Sequence, residues 1–291
     1  MHKIKIFEII MSLSLLGTAL GTSHLGAVMS NNLIIRSTGT ISTTLPLHVE
    51  GKYIKNSLNQ TVILRGVNQQ GMLDSPNGWW NPEGGGIYSG LGVWDPNAVK
   101  YNLDRMKEWG INCLRIHTVI EWWLTDESNY RQHIKDVITW AGERGIYVIF
   151  EPYSVRGYHE CQYQLPYYPY LIGCDKENPP EDVAIMPNRT AFLNYWKSVA
   201  TELKDYPNVL FEVYNEPHGN DTVREEYFSM VQEWIDTVRA TGATQILIVQ
   251  WDYGIWCNLA CPPPVNPAST MDWVEKYPLN DPLGNIVYSF H

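Results

Sequence analysis

From residue 48 onward the chain repeats one unit: a short run of β-branched and other apolar residues, a loop, an amphipathic stretch closed by glycine, then the next apolar run. Near-continuous apolar runs predict strands buried on both faces, and stretches with apolar residues three and four apart predict helices that cover them. His48–Ile54 and Thr61–Asn68 flank Ser57-Leu58-Asn59, which predicts a hairpin whose second arm, Val62-Ile63-Leu64-Arg65-Gly66-Val67, is the first core strand. A helix is expected over Pro96–Trp109, with Asp95 as N-cap, proline in the first turn, and Val99, Leu103 and Met106 at i, i+4 and i+7. Asn112–His117 is the second strand, and Arg131–Arg144 is its helix, with Ile134, Val137, Ile138 and Ala141 on one face. Tyr147–Glu151 is the third strand. Thr190–Lys204, Val209–Asn215, Val223–Arg239 and Ile246–Gln250 continue the alternation, and Ile286–His291 is the sixth strand. Gly110, Gly145 and Gly242 end the helices.

Strand–helix alternation implies an α/β fold with a parallel sheet, either doubly wound or closed as a (β/α)8 TIM barrel. The glycine-rich turn that cradles a phosphate is missing: Gly84-Gly85-Gly86 stands in a loop before Tyr88 and Trp94 instead of between strand and helix. The barrel is therefore favoured. Residues 48–291 supply about six of its eight strands, so the domain reads as C-terminally truncated.

Met1–Lys5 is basic and Ile9–Leu20 is apolar and too short to span a bilayer, a pattern expected of a secretory signal ending within residues 1–27. Residues 28–47 are small, polar and Ser/Thr-rich, as in a flexible linker. The protein is thus expected outside the cell and off the membrane once the signal is removed. Export permits disulfides among the five cysteines: Cys161 with Cys174 and Cys257 with Cys261 can bridge locally, whereas Cys113 lies in an apolar run and reads as a small buried hydrophobe. A zinc site is disfavoured because the four loop thiols lack a nearby pair of histidines. No metal or other cofactor is called for.

With 31 acidic against 21 basic residues and a net charge of −10, the chain repels a phosphate backbone, and no Lys/Arg cluster offsets this. Nucleic acid is excluded as a partner, and acidic carbohydrate is disfavoured. Twelve Trp and 18 Tyr against 6 Phe weight the aromatic content toward rings with a hydrogen-bonding tip, which suit sugars as well as a core. Rings in loops after strands are candidates for stacking on sugars: Trp79, Trp80, Tyr88 and Trp94; Trp122 and Trp123; Trp251, Tyr253 and Trp256. Trp109, Trp140, Trp196 and Trp234 fall in helices and are expected in the core or its shell.

In a parallel barrel the chemistry sits where strands end, so the polar residues closing the apolar runs are the candidates: Asn68, Arg115, Glu151, Asn215-Glu216 and His291. An apolar run that delivers Asn215 and Glu216 side by side places a carboxyl, able to protonate a leaving oxygen, next to an amide able to hold a hydroxyl. The alternative for Glu216 is a surface salt bridge.

Asn215-Glu216-Pro217 after its strand resembles the fourth-strand signature of glycoside hydrolase family 5, the retaining cellulase and mannanase family of clan A. Leu64-Arg65-Gly66-Val67-Asn68 is similar to that family's opening strand, Trp109-Gly110-Ile111-Asn112-Cys113-Leu114-Arg115-Ile116 to its passage into strand two, and Tyr288-Ser289-Phe290-His291 to strand six. The resemblance covers residues 48–291. It implies that Glu216 is the general acid/base, that Asn215 binds the sugar 2-hydroxyl, that Arg115 sits under the nucleophile, and that His291 lines the site. Tyr153 stands roughly where many members carry a histidine, and Trp251 joins the substrate-binding set. The family's nucleophile ends strand seven, which would lie beyond His291, so these residues alone are expected to be inactive. Glu151 is expected to be a polar rim residue and not a substitute nucleophile.

Two functions remain open at this point. One is a secreted, monomeric, retaining β-glycanase, endo-β-1,4-glucanase-like with β-mannanase as the variant, cutting neutral glucan or mannan. The other is a non-catalytic carbohydrate-binding barrel.

Overall fold

The computed structural model describes residues 34–35, 41–69, 94–126, 129–153, 169–172, 184–187, 189–215, 217, 221–250 and 273–289. All of them fall in one contact unit, Ile34–His291. Two short antiparallel pairs come first: β1 (Ile34–Ile35) with β2 (Ile41–Ser42), and β3 (Leu47–Glu50) with β4 (Tyr53–Asn56). Then follow β5 (Gly66–Gln69), α1 (Pro96–Glu108), β6 (Cys113–Val119), α2 (Ile120–Thr125), α3 (Tyr130–Glu143) and β7 (Tyr147–Tyr153). The antiparallel pair β8 (Pro169–Ile172) and β9 (Ala184–Pro187) precedes α4 (Arg189–Leu203), β10 (Val209–Glu212), α5 (Asp221–Ala240), β11 (Leu247–Gln250), α6 (Trp273–Lys276) and β12 (Ile286–Ser289).

Six of these strands form one sheet in the order β5-β6-β7-β10-β11-β12, every neighbouring pair parallel. Space follows sequence, as in a barrel wound in one direction and unlike a doubly wound sheet, whose order reverses at a switch point. The barrel is incomplete: among the described residues β5 and β12 each have a single neighbour in this sheet.

The expected double burial is observed. Leu114, Ile116, Val148, Phe150, Val209, Phe211, Leu247 and Val249 face the helices and share one core with Leu103, Ile134, Val199 and Ile235. Trp196 lies at its centre, fully buried, with Phe150, Phe192, Tyr195, Phe211 and Trp234 at ring separations of 5.3–6.4 Å. Its indole N–H donates to the Val213 carbonyl at 3.1 Å, so burial leaves its polar tip satisfied. The alternate strand residues Tyr147, Ile149, Leu210, Ile248 and Val287 face inward and pack against Leu47, Val49, Ile54, Val62 and Leu64.

The β3–β4 hairpin thus closes the lower end of the sheet's inner face. The chain reverses twice: at Gly51-Lys52 between β3 and β4, which was not expected, and again at Ser57-Leu58-Asn59 as expected, where Lys55 bridges antiparallel to Thr61 and the Val62 N–H donates to the Ile54 carbonyl at 2.8 Å. Residues 62–65 are not strand; the Asn112 side chain holds them, accepting from the Arg65 N–H at 2.7 Å and donating to the Ile63 carbonyl at 2.9 Å. β5 begins at Gly66, where a Cβ would lie 2.6 Å from the Cys113 carbonyl oxygen, so only glycine lets these strands approach. Thr43–Leu47, expected at the end of a linker, are tied down: the Thr43 N–H and hydroxyl donate to the Gly142 carbonyl, the Leu45 carbonyl accepts from the Tyr147 hydroxyl, and Leu47 is buried.

Helix boundaries agree with the pattern to within two residues. Asp95 caps α1 as expected, its carboxylate accepting from the Asn97 and Ala98 N–H groups. β6 and β7 run two residues further than expected and β10 stops three sooner, at Glu212. The short elements α2, β8, β9 and α6 carry no periodic signal long enough to read. Among the described residues no helix is long and apolar enough to cross a membrane.

Candidate active site

The inner face of the sheet changes character along the strands. At its lower end it is apolar; further on the same alternation delivers Arg115 and His117 from β6, Glu151 from β7 and Glu212 from β10. Register places His117 opposite Glu151 and Arg115 opposite Asn68, and Glu212 lies one residue past the Phe211–Phe150 pair. Since side chains repeat every second residue, Leu114, Ile116 and Thr118 point the other way.

All four charged or titratable side chains are buried: Arg115 and His117 are 8% exposed, Glu212 2% and Glu151 0%. Arg115 makes a two-pronged contact with Glu212, Nε to Oε2 and Nη2 to Oε1, each 2.7 Å. Nη2 also donates to the Asn215 Oδ1 at 3.0 Å. Nη1 lies 3.6 Å from a carboxylate oxygen of Glu151, and the same oxygen lies 2.6 Å from Nδ1 of His117. The Asn215 backbone N–H donates to the Pro152 carbonyl at 3.3 Å, fixing the residue above β7. Because the arginine can only donate, the Asn215 oxygen faces it and the Nδ2 end of the amide is turned elsewhere.

A bare carboxylate in such a place costs several kcal/mol, and the Arg115 fork offsets that cost for Glu212. The negative charge of Glu212 is felt nearby. Burial first, and Glu212 second, push the Cys113 thiol up to about 12 and the Tyr227 hydroxyl well above its ordinary value. Cys113 is therefore an inert buried thiol, as expected. Among the described residues no group of three or more His, Cys, Asp or Glu side chains is arranged to hold a metal ion.

The structure brings together three of the residues singled out from sequence, Arg115, Glu151 and Asn215, and sets Asn68 opposite Arg115 on the neighbouring strand. Glu216, His291 and Trp251 lie outside the described residues, as do Cys161, Cys174, Cys257 and Cys261. Tyr153 is the last residue of β7, paired with Val119; its side chain is also outside the description. Glu151 is not a rim residue: it is enclosed between Arg115 and His117, because the third strand continues past it to Tyr153. One candidate sugar platform is excluded, and a second already stacks on a protein ring. Trp123 is fully buried with its N–H on the Ser198 hydroxyl, and Trp94 stacks on His133 at 4.0 Å and packs against the core. Trp109, expected in the core or its shell, is 75% exposed.

Sequence reasoning missed Glu212 and His117. The signal for Glu212 was available: it is a lone charge inside Val209–Tyr214, two residues after inward-facing Leu210, and a buried Arg115 requires a carboxylate partner.

Carboxylates and an arginine gathered toward the C-terminal ends of parallel strands, with helices outside, stand where barrel enzymes keep their chemistry. The chain belongs to glycoside hydrolase family 5: the family model described as Cellulase (glycosyl hydrolase family 5) matches residues 66–291. It is 24% identical over 197 residues to endoglucanase H of Acetivibrio thermocellus, an alignment covering 64% of this chain and 19% of that protein. Other curated relatives are spanned over 34–53% of their length. Among solved structures, the catalytic domain of Thermobifida fusca endoglucanase Cel5A is similar with a TM-score of 0.52 and 19% identity, over 84% of this chain and 64% of that one. The catalytic domain of a mannanase from Streptomyces sp. SirexAA-E gives 0.53 and 17%, over 85% and 62%. At such identities these likenesses establish the fold.

Proposed function

We propose that residues 48–291 belong to a secreted retaining β-glycanase, endo-β-1,4-glucanase-like, that acts on neutral β-linked glucan or mannan. The observation that carries this reading is the Arg115–Glu212 fork that holds the Asn215 amide beside the strand that leads to Glu216. Family membership supports it, as do relatives named endoglucanases and Cel5A solved in complex with cellotetraose. The fold shared with mannanases keeps β-mannan as the variant substrate.

In this reading Glu216 is the general acid/base. It gives its proton to the bridging oxygen as the glycosidic bond breaks, and later takes one from the water that frees the sugar. Asn215 donates from Nδ2 to the 2-hydroxyl, a contact that strengthens as positive charge develops on the ring. Tyr153, His291 and Trp251 line the sugar path. The second carboxyl that double displacement requires is assigned to no residue here, so these 291 residues are expected to bind β-glycan without turning it over. The chain acts as a monomer, and its N-terminal segment directs export.

Reducing-sugar release and oligosaccharide binding, measured together on β-1,4-glucan, β-mannan and xylan, test this. Binding of β-1,4-glucan or β-mannan oligomers is the expected result. Where hydrolysis is present, Glu216→Gln should lower it by about 10²- to 10⁴-fold, and far less with an activated aryl leaving group that needs no proton. Binding without release in every form of the protein would favour the sugar-binding barrel. No binding of any of the three glycans overturns both readings.

A further inference from the structure

We propose that Asn59 is an acceptor for N-linked glycosylation and that its glycan covers the apolar outer face of the hairpin beneath the sheet. Use of the site during the protein's own export rests on the reading given above; the acceptor itself does not.

Asn59-Gln60-Thr61 has the acceptor pattern of asparagine, a residue other than proline, and threonine. The structure puts this triplet in a surface reversal: all three residues are exposed, and Thr61 stands opposite Lys55 in an antiparallel bridge. Two asparagines in the turn have different tasks. Asn56 is buried, and its side-chain oxygen accepts from the Leu58 and Gln60 N–H groups, each at 3.0 Å, while its amide donates to the Gln60 side-chain oxygen at 2.9 Å. Its carbonyl accepts from the Asn59 N–H at 2.8 Å. Asn59 supplies a φ of +62°, which asparagine tolerates better than most residues. Among the described residues no hydrogen bond engages its side chain, so the amide nitrogen faces solvent. The positive φ accounts for an asparagine at position 59 but not for a threonine at 61, whose bridge to Lys55 needs main chain alone.

Alternation decides what surrounds the turn. Ile54, Val62 and Leu64 pack inward, so Tyr53, Lys55, Thr61 and Ile63 lie on the outer face. Tyr53, Ile63 and Leu58 at the tip are each about half exposed or more. Large apolar side chains gathered beside one turn call for a cover. A glycan tethered at Asn59 is bulky and solubilising, and the apolar faces of its rings suit Tyr53. The hairpin closes the lower end of the sheet, so such a glycan stands away from Arg115 and Asn215 and leaves their site open. The modification joins Asn59 Nδ2 to the anomeric carbon of an oligosaccharide carried on a polyprenyl pyrophosphate. An N–C bond forms, the C–O bond to the pyrophosphate breaks with its electron pair going to the departing pyrophosphate, and Nδ2 gives up one proton.

The test is expression of the 291-residue chain in a eukaryotic host, once with its own N-terminal segment alone and once behind a leader of the host. Peptides are mapped by mass spectrometry before and after treatment with peptide-N-glycosidase. Behind the host leader, Asn59 is expected to carry a glycan that the treatment removes. Thr61→Ala should abolish the glycan while keeping Asn59 in its turn, and Thr61→Ser should retain it. The bare Thr61→Ala protein should match the glycosylated chain in calorimetry with cellotetraose but self-associate at lower concentration, and adding Tyr53→Ser and Ile63→Ser should reverse that self-association. Should Thr61→Ala fail to fold, Asn59→Asp tolerates the same φ and gives the same readout. A bare Asn59 in chain that has entered the secretory route overturns the proposal. A glycan at Asn59 whose loss leaves self-association unchanged upholds the acceptor and removes the covering role. Chain that stays in the cytosol with its own segment but is glycosylated behind the host leader upholds the acceptor and removes the export reading.

Discussion

Two buried arginine–carboxylate forks stand at opposite ends of the sheet, and they are built for different purposes. Arg239 on α5 meets Asp281 with Nε at 2.8 Å and Nη2 at 2.9 Å, and sends Nη1 to the carbonyls of Ala243 and Gln245. Asp281 in turn accepts from the backbone N–H groups of Leu283 and Asn285, and the Asn285 side chain accepts from Val49 of the hairpin. One cation meets one anion, and the remaining donors end on main chain. Arg115 makes the same fork with Glu212, but its remaining donors meet a side-chain amide and a second carboxylate. The first arrangement is a peg between α5, the entry to β11 and the loop before β12. The second turns the guanidinium toward the side chains of Asn215 and Glu151, residues that the strand ends present, which is what a site needs and a peg does not.

The largest effect should come from breaking the peg. Arg239→Met strands Asp281 without its cation and should cost about 3–5 kcal/mol in urea denaturation at neutral pH. The acid limb sharpens this. Burial pushes the Asp281 carboxyl up, but the hydrogen bonds from Arg239 and from the Asn285 and Leu283 N–H groups outweigh it and hold it below its ordinary value. Its contribution is therefore fully present above the usual carboxylate range and is lost as pH falls through the lowered native value. That acid-side loss should shrink in Arg239→Met; a variant that loses stability equally at all pH values would count against the peg.

A smaller effect is expected at the other fork. Arg115→Lys keeps the charge and loses the planar geometry, so it should cost about 1–2 kcal/mol of stability while weakening oligosaccharide binding about tenfold. If affinity survives that change, the two forks do not differ in purpose. The smallest effect belongs to neither fork. Trp109→Ser on the outer face of α1 should change stability by less than about 0.5 kcal/mol and leave binding untouched, since the ring is largely exposed.

Much of the scaffold was legible because burial on both faces leaves an apolar run that needs no partner to be recognised. Val209–Phe211 and Leu247–Val249 are such runs, and α1 is announced by Asp95, Pro96 and the spacing of Val99, Leu103 and Met106. The reversal at Ser57-Leu58-Asn59 was legible, but the one before it at Gly51-Lys52 was not, since it is fixed by what Leu47 and Ile54 pack against. Of the candidate site, Arg115 and Asn215 were legible as polar ends of apolar runs, but the partners of Arg115 were not. Glu212 is 97 residues away from it along the chain.

The sequence by itself determined the order of strands and helices and the type of residue that ends each strand, because hydrophobic periodicity is a local property. Only the tertiary structure decided that Glu151 is enclosed and not exposed, that Trp123 is core and not platform, and that one guanidinium holds Glu212 and Asn215 while His117 stands against Glu151. Those outcomes depend on which side chains meet across strands distant in sequence, and charge pairing in a buried place is set by that meeting alone.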